Sequence, residues 1–255
     1  MFEALKLRQP AIIVLSLVLA ACSVAREEAS ESGDDRLFVP EGLSVTRPTD
    51  GSSGAFALLA LTLQQSLGQT EVYLALRNDG EAPACTAAFT VALLDANGDT
   101  LATGTRGLSA RQFYRFKLDE SAEPTVAACV APGEVTMGAI LDLELVPLEG
   151  ITLSYWLTYW NLSDLTPLQG AVTLENLRTV MRKGGVAYTG ELVNELVDQP
   201  RALAVSVFPV NRVGRPLGVA SSQGSGELPP GGRWEFETTT VPDAGTGLAA
   251  YPVGQ

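Results

Sequence analysis

Beyond Gly54 the chain runs through one layout twice, at a fixed offset of 116 residues. Leu58, Gly68, Leu76, Asn78, Ala88, Val91, Gly98 and Leu101 return as Leu174, Gly184, Leu192, Asn194, Ala204, Val207, Gly214 and Leu217, with no gap across the span. A duplication of this kind constrains the fold more than composition does, because any architecture must suit both copies. The matched positions are turn glycines, a strand-ending Asn and core-facing apolar residues. They set a β fold rather than a chemistry. The register then breaks. Pro132-Gly133 answers Pro230-Gly231, an offset of 98, which leaves an 18-residue insertion in the first copy. A rival alignment pairs Leu108 and Phe116 with Leu228 and Phe236. The Pro-Gly alignment is preferred because an extended run follows each pair, Glu134 to Met137 and Arg233 to Thr238.

Within each copy, short apolar runs, many of period two, are punctuated by Gly, Pro, Asn and Asp, which is an all-β signature. Strands are expected at Ala55–Leu63, Glu71–Leu76, Ala87–Leu94 and Thr100–Thr103, with Val72, Leu74 and Leu76 on one face. Asn78-Asp79-Gly80 ends the second. Asp95-Ala-Asn97-Gly98-Asp99 reads as a hairpin turn, where Asn-Gly supplies the positive φ angles a tight turn requires. Ile140–Val146 and Ile151–Asn161 read as closing strands of the first copy, and Leu162–Gly170 as the link to the second. No segment past residue 25 holds a helical period over three turns. The expected fold is all-β: two tandem β-sandwich domains, 55–162 and 163–255, after a signal peptide (1–21) and an acidic flexible tether (22–54).

The leader has three parts. Lys6 and Arg8 give a positive start, Ala11 to Ala20 an apolar core, and small residues precede Cys22. The apolar run is short of the ~20 residues that span a bilayer as a helix. Leu19-Ala20-Ala21-Cys22 resembles the lipobox of bacterial lipoproteins. The resemblance implies cleavage before Cys22, acylation of its thiol with palmitate-like chains, and a membrane anchor. Ser23 after the Cys implies the outer membrane if the organism has two membranes, so the expected location is the cell envelope, at the periplasmic face or the cell surface. From Arg26 to Arg36 the chain is charged and poor in large apolar residues, and 46–54 is rich in turn formers. Such segments bury too little surface to offset ordering entropy. Phe38-Val39-Pro40 and Leu43 are expected to dock transiently on the first domain.

Composition excludes several functions. The net charge of −12 argues against nucleic acid, whose phosphates need Lys and Arg, and against electrostatic adhesion to anionic lipid. The chain has no histidine, which removes the Ser-His-Asp and Cys-His nucleophiles, His-ligated zinc and the usual neutral-pH base. No cofactor, metal or catalytic residue is expected. With Cys22 assigned to the anchor, Cys85 and Cys129 remain. In an oxidising compartment they read as one disulfide closing a loop of about 45 residues, and no Cys-x-x-Cys spacing supports redox work.

Leu76-Arg-Asn78, Leu94-Asp-Ala-Asn-Gly98 and Cys129-Val-Ala-Pro-Gly-Glu134, with Gly190–Asn194, Val210–Gly214 and Leu228–Gly231 in the second copy, resemble the FxLyD-type and CARDB-type immunoglobulin-like modules of bacterial envelope proteins. The resemblance implies binding or spacing outside the cell and carries over no catalytic residue. The second copy departs from it by lacking both cysteines and by ending soon after Phe236, so a last strand beyond that residue is not expected.

Three further features have the residue types of a site. The Asp95–Asp99 run opens like a Ca²⁺ loop, but Thr100 and Arg106 stand where such a loop needs Gly and Glu, so a plain turn is expected. Asp142 and Glu144 share a strand face, and a solvated sheet surface accounts for them. Tyr155-Trp156-Leu-Thr-Tyr159-Trp160 places the two Trp on one face and the two Tyr on the other. Either one pair faces a core and the other forms an exposed platform, or both pairs are buried. The expected function is a non-enzymatic, lipid-anchored module binding or spacing an envelope protein. The alternative is a carbohydrate or peptidoglycan binder using Trp156 and Trp160, and a carboxylate hydrolase comes third.

Overall fold

The computed structural model describes residues 43–46, 55–66, 68–117, 122–160, 162 and 164–252. The leader, Cys22 and most of the tether lie outside these residues. The described residues belong to one compact unit, and every regular element among them is a strand. The first copy carries β1 (Ser44–Thr46), β2 (Phe56–Ser66), β3 (Gln69–Asn78), β4 (Ala84–Leu94), β5 (Thr100–Gly107), β6 (Gln112–Phe116), β7 (Thr125–Val130), β8 (Val135–Glu144) and β9 (Thr152–Trp160). After the short β10 (Thr166–Pro167) come β11 (Val172–Arg182), β12 (Gly185–Asn194), β13 (Arg201–Val210), β14 (Ala220–Leu228), β15 (Arg233–Glu237) and β16 (Gly247–Pro252).

Each copy is a pair of sheets closed on an apolar core. In the first, β2-β3-β8 covers a sheet centred on β4, with β9 on one side and β5 and β7 on the other. The inward residues of the alternating runs fill it: Leu61, Leu74, Leu76, Phe89, Leu93, Ile140, Leu153 and Leu157 are fully buried. In the second, β11-β12-β15 covers β14-β13-β16 around Tyr188, Leu192, Val207 and Phe236.

The duplication is visible in atomic detail. β2 and β11, and β3 and β12, coincide at the offset of 116, and both opening hairpins are bulged, the first between Leu58 and Ala60 and the second slightly further along, between Glu175 and Arg178. Asn78 and Asn194, both with no exposed surface, make the same network. The Asn78 amide donates to the carbonyls of Ala82 (3.0 Å) and Val130 (2.9 Å) and accepts from Gly80 N–H (3.0 Å). The Asn194 amide donates to Gln199 (2.8 Å) and Leu228 (2.9 Å) and accepts from Leu196 N–H (3.1 Å). The backbone carbonyls of the two asparagines accept from Gly133 and Gly231 N–H, each at 2.7 Å. Val130 answers Leu228 and Gly133 answers Gly231, so the Pro-Gly alignment holds and the rival one is overturned.

Four expectations need correction. Glu134–Met137 and Ile140–Val146 are not two segments but largely one strand, β8, because Gly138 lets the ring of Phe89 pack against its backbone without interrupting pairing. Ser44–Thr46, placed in the tether, is a strand pairing parallel to β9, held by Leu43 and Val45 against the first core. Thr166–Pro167, placed in the link, pairs with β6. The second copy continues past Phe236 to β16, which pairs along β13.

The insertion explains how the copies join. It folds as the β6–β7 hairpin, and its alternation splits two ways. Phe113, 5% exposed, enters the second copy's core, while Arg115 on the same side pairs with Asp198 at 2.8 Å. A second junction forms where the small outward residues Ala60 and Ala75, with Met137, meet Phe208 and Tyr251 of the second copy. Polar contacts fix its register. Thr62 Oγ1 donates to the Pro216 carbonyl (2.6 Å) and accepts from Arg215 Nε (2.9 Å), and Tyr251 O–H donates to the Val135 carbonyl (3.1 Å). The Arg111 guanidinium lies 4.7 Å from the Tyr251 ring centre, and burial pushes the Tyr251 phenol up to about 12.

Candidate functional site

The aromatic run on β9 resolves by strand alternation. Leu153, Tyr155 and Leu157 point into the first core, and Tyr159 packs edge-on against Phe56 with ring centres 5.6 Å apart. Trp156 and Trp160 therefore lie on the outer face. Trp156 is half-buried opposite Thr90, and Trp160 is 46% exposed. Of the alternatives left open by the sequence, the Tyr pair turns inward and the Trp pair outward.

Trp160 stands over a structured patch. It is the register partner of Cys85, which is bonded to Cys129 across the β4–β7 pair. The disulfide read from the sequence is present and fully buried. Phe116 meets Trp160 edge-on at 5.8 Å, and Ala127, Tyr114, Leu162 and Leu165 complete the cluster. Tyr114 and Phe116 are thus the outward half of the same hairpin strand that sends Phe113 into the second core. Sequence reading missed both as site residues. The signal was their period-two spacing, but nothing local says that the Trp160 face and the Phe116 face belong to one sheet surface.

The patch offers flat aromatic and apolar surface with a Tyr hydroxyl at its edge, where Tyr114 O–H donates to Gln112 Oε1 (2.9 Å). Such a surface suits stacking and apolar contact. Cys22, the expected lipidation site, lies outside the described residues.

The other candidates are structural. Asp95 Oδ1 accepts from Asn97 N–H (2.8 Å) and Asp99 N–H (2.9 Å), and the backbone bond from Asp99 leads in holding its carboxyl below the usual range. Asn211 makes the matching turn with Val213 and Arg215 N–H at 3.1 and 3.0 Å. Both are hairpin turns. Asp142 is exposed and paired with Arg106 at 2.6 Å, while Glu144 is exposed two residues on. Among the described residues no group of three or more His, Cys, Asp or Glu is placed to hold a metal ion. No helix among them is long and apolar enough to cross a membrane.

No protein-family model and no curated protein matches the chain. Among solved structures, the chain has a weak likeness to a red sea bream transglutaminase, 12% identical, with a TM-score of 0.17, covering 76% of this chain and 27% of that one. The chain thus spans about a quarter of that enzyme's length, and a likeness this slight carries no argument about fold or activity.

Proposed function

We propose that this chain is a lipid-anchored cell-envelope protein, tied to a membrane through Cys22, that holds a protein-binding face at a fixed attitude on two fused immunoglobulin-like sandwiches. The observation that carries the reading is the fusion itself. An apolar junction and the docked Phe113 hairpin make one body of two modules, and that body carries an outward aromatic patch around Trp160. Aromatic side chains in a half-exposed, well-supported patch are the usual anchors of partner recognition.

Two measurements test it. The full-length protein is expected in the detergent phase on phase separation, and its Cys22→Ala variant in the aqueous phase; equal partition of the two defeats the anchor. For the face, a photo-crosslinking side chain at position 160 is expected to capture a discrete envelope protein in cells, whereas one at exposed Met181 on β11 is not. Indistinguishable adduct patterns from the two positions defeat the binding face.

A carbohydrate-binding reading also has a specific support, the outward pairing of Trp156 and Trp160 on one strand. It expects tryptophan emission to shift saturably on titration with cell-wall glycan fragments. Flat emission across the panel removes it.

A further inference from the structure

The 18-residue insertion does more than join the copies, because it roofs a cavity that the second copy has no counterpart for. Between the β6–β7 hairpin and β4–β5 lies a pocket of about 290 Å³, walled by Ala87, Leu108, Ala110, Phe113, Ala128 and Val130. It is at the small end of ligand sites, which run about 300–1,000 Å³. Its one charged lining residue is Arg201, from the second copy. At the offset of 116, Arg201 occupies the place of Cys85. So one copy uses this position to staple the hairpin, and the other uses it to put a cation beneath the hairpin.

The state of Arg201 is the second observation. Its guanidinium stacks on the Phe113 ring at 4.8 Å. Nη2 reaches Gln199 Oε1 only at 3.5 Å, and Nε, buried from solvent, has no hydrogen-bond partner. Burial pushes the guanidinium down from its ordinary value, opposed by the charge of exposed Glu227, which makes no ion pair with it. A buried N–H without an acceptor is costly, and such groups are rare in folded proteins. The Nε and Nη2 hydrogens lie along one edge of the guanidinium and match the two oxygens of a carboxylate.

We infer that this pocket binds a small monocarboxylate with an apolar body, its carboxylate on the Nε–Nη2 edge of Arg201 and its body against Leu108, Phe113, Ala128 and Val130. The occupant sits where the two sandwiches meet, so it bridges them. A neutral or cationic molecule of the same shape fills the apolar wall and leaves the guanidinium edge unmatched.

The probe is hexanoate, with hexanol and hexylamine as isosteric controls, titrated calorimetrically against the full-length protein in nanodiscs, with empty nanodiscs as blank. Hexanoate is expected to bind saturably and about tenfold or more tighter than hexanol, the value of a charge-assisted hydrogen-bonded pair. Arg201→Gln is expected to abolish the preference for hexanoate over hexanol, and Arg201→Lys to retain part of it. Ala128→Leu, which fills the cavity, is expected to remove binding of both. Equal affinity of the intact protein for hexanoate, hexanol and hexylamine overturns the proposal, and needs no variant to fold. So does absence of saturable hexanoate binding, or an unchanged preference in Arg201→Gln.

Discussion

Asn194→Ala lowers the free energy of unfolding by about 3–5 kcal/mol, as much as truncating a large apolar core side chain. The substitution deletes few apolar contacts. Its cost lies in what it abandons: the Leu228 carbonyl and the Leu196 N–H are both buried, and each loses its partner. A buried unsatisfied group costs about 1–3 kcal/mol, and the part-buried Gln199 carbonyl adds less. Asn78→Ala makes the same deletion in the first copy, but there the Ala82 residue is exposed, so water replaces one lost bond. About 2–4 kcal/mol is expected. Asn194→Asp is a sharper probe. It keeps the shape but turns a carboxylate oxygen toward two carbonyl oxygens in a fully buried site. The charged form is disfavoured there, so the folded-state pKa rises above the unfolded value, and the penalty is smallest in acid and grows as pH climbs past about 4. Urea unfolding at pH 4 and pH 7 reads all three. A cost under 1 kcal/mol for Asn194→Ala, or a smaller penalty at pH 7 than at pH 4 for Asn194→Asp, contradicts the account.

Removing the disulfide with Cys85→Ser and Cys129→Ser together is expected to cost roughly 3–4 kcal/mol, from the loop entropy restored to the unfolded chain. The sequence separation is 44 residues, and the loop contains β5 and β6. The local consequence is larger than the global one. β7 meets β4 only at Ala84–Val130 and Cys85–Cys129, so the bridge is the main tie between the hairpin and its own sandwich. Phe113 then stays in the second core while the first copy's grip on the hairpin loosens. Amide exchange is expected to accelerate in 112–130 more than in β2, β3 or β8. Uniform acceleration across the first sandwich would show that the bridge acts only through the unfolded state.

The sequence disclosed what is local or repeated. The Asp95 and Asn211 turns, the strand-ending asparagines and the Pro-Gly corners each carry their own hydrogen-bond logic within a few residues, and the second copy confirms the first. Cys85 and Cys129 were legible by elimination once Cys22 was set aside. Other features stayed hidden because their partners are far along the chain. Ser44-Val45-Thr46 is too short to show alternation, and only the β9 edge and the core contacts of Leu43 and Val45 make it a strand. The split of Phe113 from Phe116 is legible as period two, but which face meets which sandwich is not. Ala60 and Ala75 read as unremarkable outward residues, yet their small size is what lets the two sandwiches close together. Nothing in the sequence around Arg201 sets it apart, and its meaning comes from Phe113, 88 positions upstream.

The parallel seating of β1 on β9 decides how this body responds to pulling. The chain enters at Ser44 and leaves β9 at Trp160, and the two strands run in the same direction. Tension applied between the leader side and the second sandwich therefore slides β1 along β9. The hydrogen bonds of Ser44 and Thr46 to β9 share that load at once instead of parting in turn, so this short clasp resists stretching between the two ends of the body.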